Sequence, residues 1–185
     1  MRGYLAISLA VWLLVWLLPL PPSAHSDAHP KHDRVEIEGS FLRVYLDYDI
    51  PPGGLAQKTR SLFDFDGDDH LSSKEKEKVV QYLRMAATRF LKISLNSKEL
   101  SLSEKKFRVH GLDDPVSSSR EITTLWILES SIKQLKRGRN VLSLRDRHKD
   151  LDVEVPVEFL LPGQPKKVAV LKGKLRELSV NFVWP

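Results

Sequence analysis

Between Asp64 and Glu75 the chain reads DFDGDDHLSSKE, five carboxylates in twelve residues. Carboxylates this close repel one another, and what offsets them best is a hard cation. Ca²⁺ takes six to eight oxygens at about 2.3–2.6 Å, and a twelve-residue loop supplies them from its first, third, fifth, seventh, ninth and twelfth positions. Asp64, Asp66 and Asp68 occupy the first three of those positions. His70 falls where only the backbone carbonyl is used, Ser72 where the contact often runs through water, and Glu75 where a bidentate carboxylate closes the shell. The expected ligand set is therefore Asp64, Asp66, Asp68, His70, Ser72 and Glu75, and the expected ion is Ca²⁺. Mg²⁺ fits less well, because it gives up its waters reluctantly. A metal-free explanation competes for one member of the set. Ser72-x-x-Glu75 is also a capping box, which accounts for Glu75 but not for three aspartates at alternate positions.

Such a loop needs rigid elements on either side. After it, Val79, Val80, Leu83, Ala86, Ala87, Phe90 and Leu91 recur at steps of three and four, opposed by Lys76, Glu77, Lys78, Arg84 and Arg89. This spacing predicts an amphipathic helix over 73–91. Before the loop, Leu55 to Phe63 is short and weakly apolar and follows Gly53 and Gly54, so an entering helix is poorly marked. Leu71 stands where the loop needs an apolar anchor. With the donor spacing of 64–75 and the exiting helix, the segment from Asp64 to Leu91 resembles the EF-hand family. That resemblance implies calcium binding through the six residues named. Asp69 stands where the family carries Gly and Lys76 where it carries an apolar residue, and there is no second loop to pair with.

The remainder of the chain reads in period two. Leu42, Val44, Leu46, Tyr48 and Ile50 share one face; so do Ile122, Thr124, Trp126 and Leu128; Val153, Val155, Val157 and Phe159; and Leu178, Val180, Phe182 and Trp184. ISLNSKELSL predicts a hairpin turning at Asn96-Ser97, and NVLSL a further strand. About seven or eight short strands separated by turn residues predict a mainly β (α+β) fold, an antiparallel β-sandwich into which the loop and its helix are inserted. Trp126, Phe159, Phe182 and Trp184 are expected in its core. The Ser-rich stretch 113–120 reads as a plain loop. A strand pair, one calcium-type loop and helix, then sandwich strands, together with GRNVLSLRDRHKD, resemble exported bacterial domains associated with nickel/cobalt-type permeases; that resemblance implies no catalysis.

The first thirty residues place the chain in a compartment. Arg2, the apolar run Leu5–Leu20, the helix breakers Pro21 and Pro22, and small residues at Ala24, Ser26 and Ala28 have the pattern of a secretory signal peptide over 1–28. The expectation is an exported single domain, 29–185, periplasmic or extracellular, or one tethered by its N-terminus if the segment is retained. With no cysteine, disulfides are excluded. The net charge of +5 is spread along the sequence without interleaved aromatics, which argues against a nucleic-acid partner and marks no membrane surface. No nucleophile or acid/base pair stands out, so the expectation is a non-enzymatic binding module whose protein or membrane-protein partner is left open. The alternative is a copper-binding or copper-dependent exported sandwich, since cleavage after Ala24 or Ala28 leaves His25 or His29 as a terminal chelate.

Overall fold

A computed structural model describes residues 31–88, 91–133, 135–146, 154–172 and 177–185. The expectations for the signal peptide, for His25 and His29, and for Val153 lie outside those residues. The elements in chain order are β1 Lys31–Glu38, β2 Phe41–Tyr48, α1 Gly54–Ser61, α2 Ser73–Thr88, β3 Leu91–Leu95, β4 Lys98–Glu99, β5 Ser103–His110, β6 Thr123–Ser131, β7 Gly138–Asp146, β8 Val155–Leu160, β9 Lys167–Leu171 and β10 Glu177–Trp184.

Period-two burial decides how these strands assemble. In β1 and β2 alternate residues are buried, and Val35 pairs with Val44 across an antiparallel hairpin. Strand β1 takes β8 on its other side in a parallel pairing, Val35 opposite Phe159. The result is a six-stranded sheet ordered β5-β6-β2-β1-β8-β9 beside a four-stranded sheet ordered β10-β7-β3-β4. Inward side chains of both sheets form one apolar cluster that includes Leu42, Leu46, Trp126, Phe159, Ile93, Leu144 and Phe182. Val79, Leu83 and Ala87 of α2 join that cluster, so the helix packs through the stripe its periodicity marked. Among the described residues the fold is mainly β with two helices and sandwich-like, and every strand pairing except β1–β8 is antiparallel.

Two details differ from the sequence reading. Helix α2, described to Thr88, does not extend to 91: Leu91 opens β3, where it lies opposite Asp146 of β7, and sheet pairing overrides the helical period. Strands β1, β5 and β9 escape the alternation test. β1 begins with the buried charges Lys31 and Asp33, while β5 and β9 are edge strands with largely exposed side chains. The Asn96-Ser97 turn is as expected, both residues having the positive φ that tight two-residue hairpins require, 51° and 68°. Among the described residues no helix is long and apolar enough to cross a membrane.

Candidate metal centre

The loop is entered from a helix after all. Gly53 (φ 121°) turns the chain, its N–H donating to the Ser119 carbonyl at 2.7 Å, and α1 follows at once. At its end the N–H groups of Phe63 and Asp64 both reach the Arg60 carbonyl, at 2.9 and 3.2 Å, which delivers Asp64 to the head of the loop. Helix, loop and α2 are thus continuous.

Three of the expected ligands converge. One carboxylate oxygen from each of Asp64, Asp66 and Asp68 lies within 4.8 Å of the other two. Oxygens held at about 2.3–2.6 Å from a shared Ca²⁺ are at most about 4.6–5.2 Å apart, so the three side chains fit one ion with little rearrangement. Local hydrogen bonds set these positions: Asp64 Oδ1 accepts from the Gly67 N–H at 2.9 Å, and Asp68 Oδ1 from the His70 N–H at 2.9 Å. Their mutual repulsion leaves a signature. Partial desolvation, then the neighbouring Asp68 carboxylate, push the Asp66 carboxyl above its ordinary range, and Glu75 and Asp64 add to the effect.

The other members of the set stand differently. His70 keeps its ring against the Asp68 carbonyl, Nδ1 to O 3.2 Å, away from the carboxylate group and in keeping with a backbone-only role. Ser72 donates both its N–H and its hydroxyl to Glu75 Oε2, at 2.8 and 2.7 Å. Glu75 itself is buried, and its Oε1 accepts from the Phe65 N–H at 2.7 Å. The Phe65 N–H, followed by the two Ser72 donors, holds the Glu75 carboxyl below its ordinary range. Glu75 therefore completes a capping-box contact to Ser72 and also ties the second residue of the loop to the ninth. In this arrangement it lies outside the Asp64–Asp66–Asp68 group.

Both departures from the EF-hand pattern have partners. Asp69 takes the left-handed conformation (φ 66°) that its position demands. Its carboxylate accepts from the Ser117 N–H at 2.6 Å and the Ser117 hydroxyl at 2.9 Å, while its carbonyl accepts from the Val116 N–H at 2.8 Å. Lys76 donates to Asp113 at 2.6 Å. The Ser-rich segment is thus the surface on which the loop docks. Leu71 is buried in the core as expected.

One side chain of this assembly gives no sequence signal. Arg60, fully buried on α1, donates to the carbonyls of Gly111 (2.7 and 2.9 Å), Ser118 (2.9 Å) and Arg120 (3.0 Å), with Asp114 at 3.7 Å. A lone arginine in a short polar helix looks solvated. Only Gly111 hints at the close approach: at its φ of 88° an added Cβ would collide with the Glu121 carbonyl. No protein-family model and no curated protein matches the chain. The functional reading therefore rests on this geometry and on the sequence.

Proposed function

We propose that the chain is an exported, non-enzymatic binding module with one EF-hand-type calcium site. Asp64, Asp66 and Asp68 supply carboxylate oxygens, the His70 carbonyl a further one, and Ser72 and Glu75 the closing side. The observation that carries this reading is the convergence of the three aspartates within 4.8 Å at the mouth of a helix-flanked loop. A capping role explains Glu75 and Ser72 but gives no reason to gather three further negative charges. Calcium supplies the compensating charge, and the docked segment 111–121 supplies the rigidity that an unpaired loop lacks.

An unpaired extracellular site of this kind binds at about 10⁻⁴ to 10⁻³ M. At a hundredfold excess over the dissociation constant, linkage adds about 2.7 kcal/mol of stability. For a domain of this size that is roughly 5–11 °C in melting temperature. Thermal unfolding in chelator, Ca²⁺ and Mg²⁺ tests it: a calcium-specific rise is expected, and superimposable curves in chelator and Ca²⁺ refute the reading.

A further inference from the structure

Four of the nine large apolar side chains that stay exposed among the described residues gather beside this loop. Leu62, Phe65 and Met85 are 60%, 63% and 61% exposed and Tyr82 46%. Phe63 braces them, its ring 6.5 Å from Phe65 and 5.7 Å from Tyr82, and Tyr82 and Met85 are neighbours one turn apart on α2. Phe, Tyr and Met are side chains that interface centres favour, and rings already held against one another lose little freedom when they are covered. Charges of both signs border the rings. Phe65 stands between Asp64 and Asp66 in the loop, while Lys78 Nζ reaches from α2 to 4.2 Å from the centre of its ring. Lys74 lies one turn before Lys78 with Glu77 on the adjoining flank, Lys58 is one turn before Leu62, and Asp68 gathers with Asp64 and Asp66. None of these lysines and carboxylates forms an ion pair among the described residues.

We infer that this face is where a second copy of the chain docks, in a two-fold dimer. A partner of one charge sign is disfavoured, since a polyanion meets the loop aspartates and a polycation meets the lysines. A second copy meets neither obstacle. A two-fold axis sets each patch on its own counterpart, so that residue i touches j and j touches i. With the axis through the rings of Phe65, Phe63 and Tyr82, the lysine side of one copy falls on the loop side of the other, and the charges compensate twice over. The area also suffices. At about 200 Å² per large side chain, the four exposed residues offer roughly 450 Å² per copy. Two copies then cover about 900 Å² of apolar surface, and at the roughly 65% apolar content of homodimer interfaces this corresponds to about 1,400 Å² in all. Specific interfaces bury about 1,200–2,000 Å². In chelator the loop keeps its full charge, so the contact does not depend on the calcium reading.

Sedimentation velocity of residues 29–185, which contain every described element, over a concentration series tests the inference. Near-UV circular dichroism verifies the fold of each variant. Chelator is present throughout, so the calcium reading, which the melting curves report, fails or stands separately. A concentration-dependent dimer is expected, and it should weaken as salt rises. The pair Phe65→Ser and Met85→Ser should weaken it roughly a hundredfold or more, because the two-fold counts each loss twice. Val168→Ser, at an exposed position on β9, should leave it unchanged. Lys58→Glu with Lys78→Glu makes an acidic face, and Asp66→Lys with Glu77→Lys a basic one. Each of these variants alone should associate at least about tenfold more weakly, and an equimolar mixture of the two should recover the dimer. A mixture no stronger than its parts, or association indifferent to the Phe65 and Met85 pair, overturns the inference. So does a chain that stays monomeric at about 1 mM, whether or not it then captures phosphatidylcholine vesicles, which would assign the face to a lipid surface.

Discussion

Asp66 is the residue at which the two explanations of the acidic loop make opposite demands. Its carboxyl is pushed up by partial desolvation and by Asp68, so without an ion the folded state gains from removing its charge. With an ion, the same charge is a ligand. Asp66→Asn should therefore melt at the same temperature as the unmodified chain, or higher, in chelator, and should lose most of the calcium-dependent rise. Calorimetry of both proteins in both conditions checks this crossing, and a parallel shift of all four curves would contradict it. Glu75→Gln is a poorer discriminator than the capping motif alone suggests. Both Glu75 oxygens accept hydrogen bonds from Phe65 and Ser72, and a carboxamide turns one acceptor into a donor facing an N–H. The expected outcome for Glu75→Gln is a lower melting temperature in chelator as well as a smaller calcium response. The convergence of Asp64, Asp66 and Asp68 was legible in the sequence because side chains at alternate positions of a short loop are a local property. The tie from Glu75 to Phe65 was not, because a capping motif specifies the Ser72 contact alone.

At the scale of elements, Arg60 joins the helix that enters the loop to the segment on which the loop rests. Its guanidinium is fully buried and donates to the carbonyls of Gly111, Ser118 and Arg120. Removing one partner of such a network leaves polar groups buried and unpaired, at about 3 kcal/mol or more. Arg60→Ala should lower chemical-denaturation stability by that amount. Arg60→Lys should recover only part of it, since an ammonium cannot span three carbonyls as the planar fork does. Full rescue by lysine would mean that charge, not fork geometry, holds the segment. The sequence showed α2 and the strands β2, β6, β8 and β10, where burial imposes a clean period. It did not show β1, whose first inward residues are Lys31 and Asp33, nor the edge strands β5 and β9, whose exposed faces relax the pattern. The docking role of 111–121 was equally hidden, because it depends on a residue about fifty positions away.

Across the whole molecule, one end of the core is ionic rather than apolar, and this sets how stability should vary with pH. Lys31 and Asp33 point inward from β1 and Asp146 from β7, so the group spans both sheets, with Lys31 Nζ 2.6 Å from Asp146 Oδ2. That pair balances its own charge. Asp33 is fully buried, and neither of its oxygens has a hydrogen-bond partner. Burial pushes its carboxyl up to about 6, opposed by Lys31 and assisted by Asp146, with smaller contributions from His32 and Asp47. Below the unfolded value of 3.8, Asp33 is protonated in both states and contributes no pH dependence. Between 3.8 and 6 the unfolded chain releases this proton while the folded chain keeps it, so stability falls as pH rises. Above about 6 the loss is complete, at roughly 3 kcal/mol. Asp33→Asn keeps the shape and removes the titration. Urea unfolding of this variant from pH 4 to pH 7 should lack the fall expected of the unmodified chain, and at pH 7 the variant should be the more stable by up to about 3 kcal/mol. A variant that is less stable than the unmodified chain at pH 7 would show that the ionised Asp33 is stabilised by the Lys31–Asp146 pair more than burial penalises it.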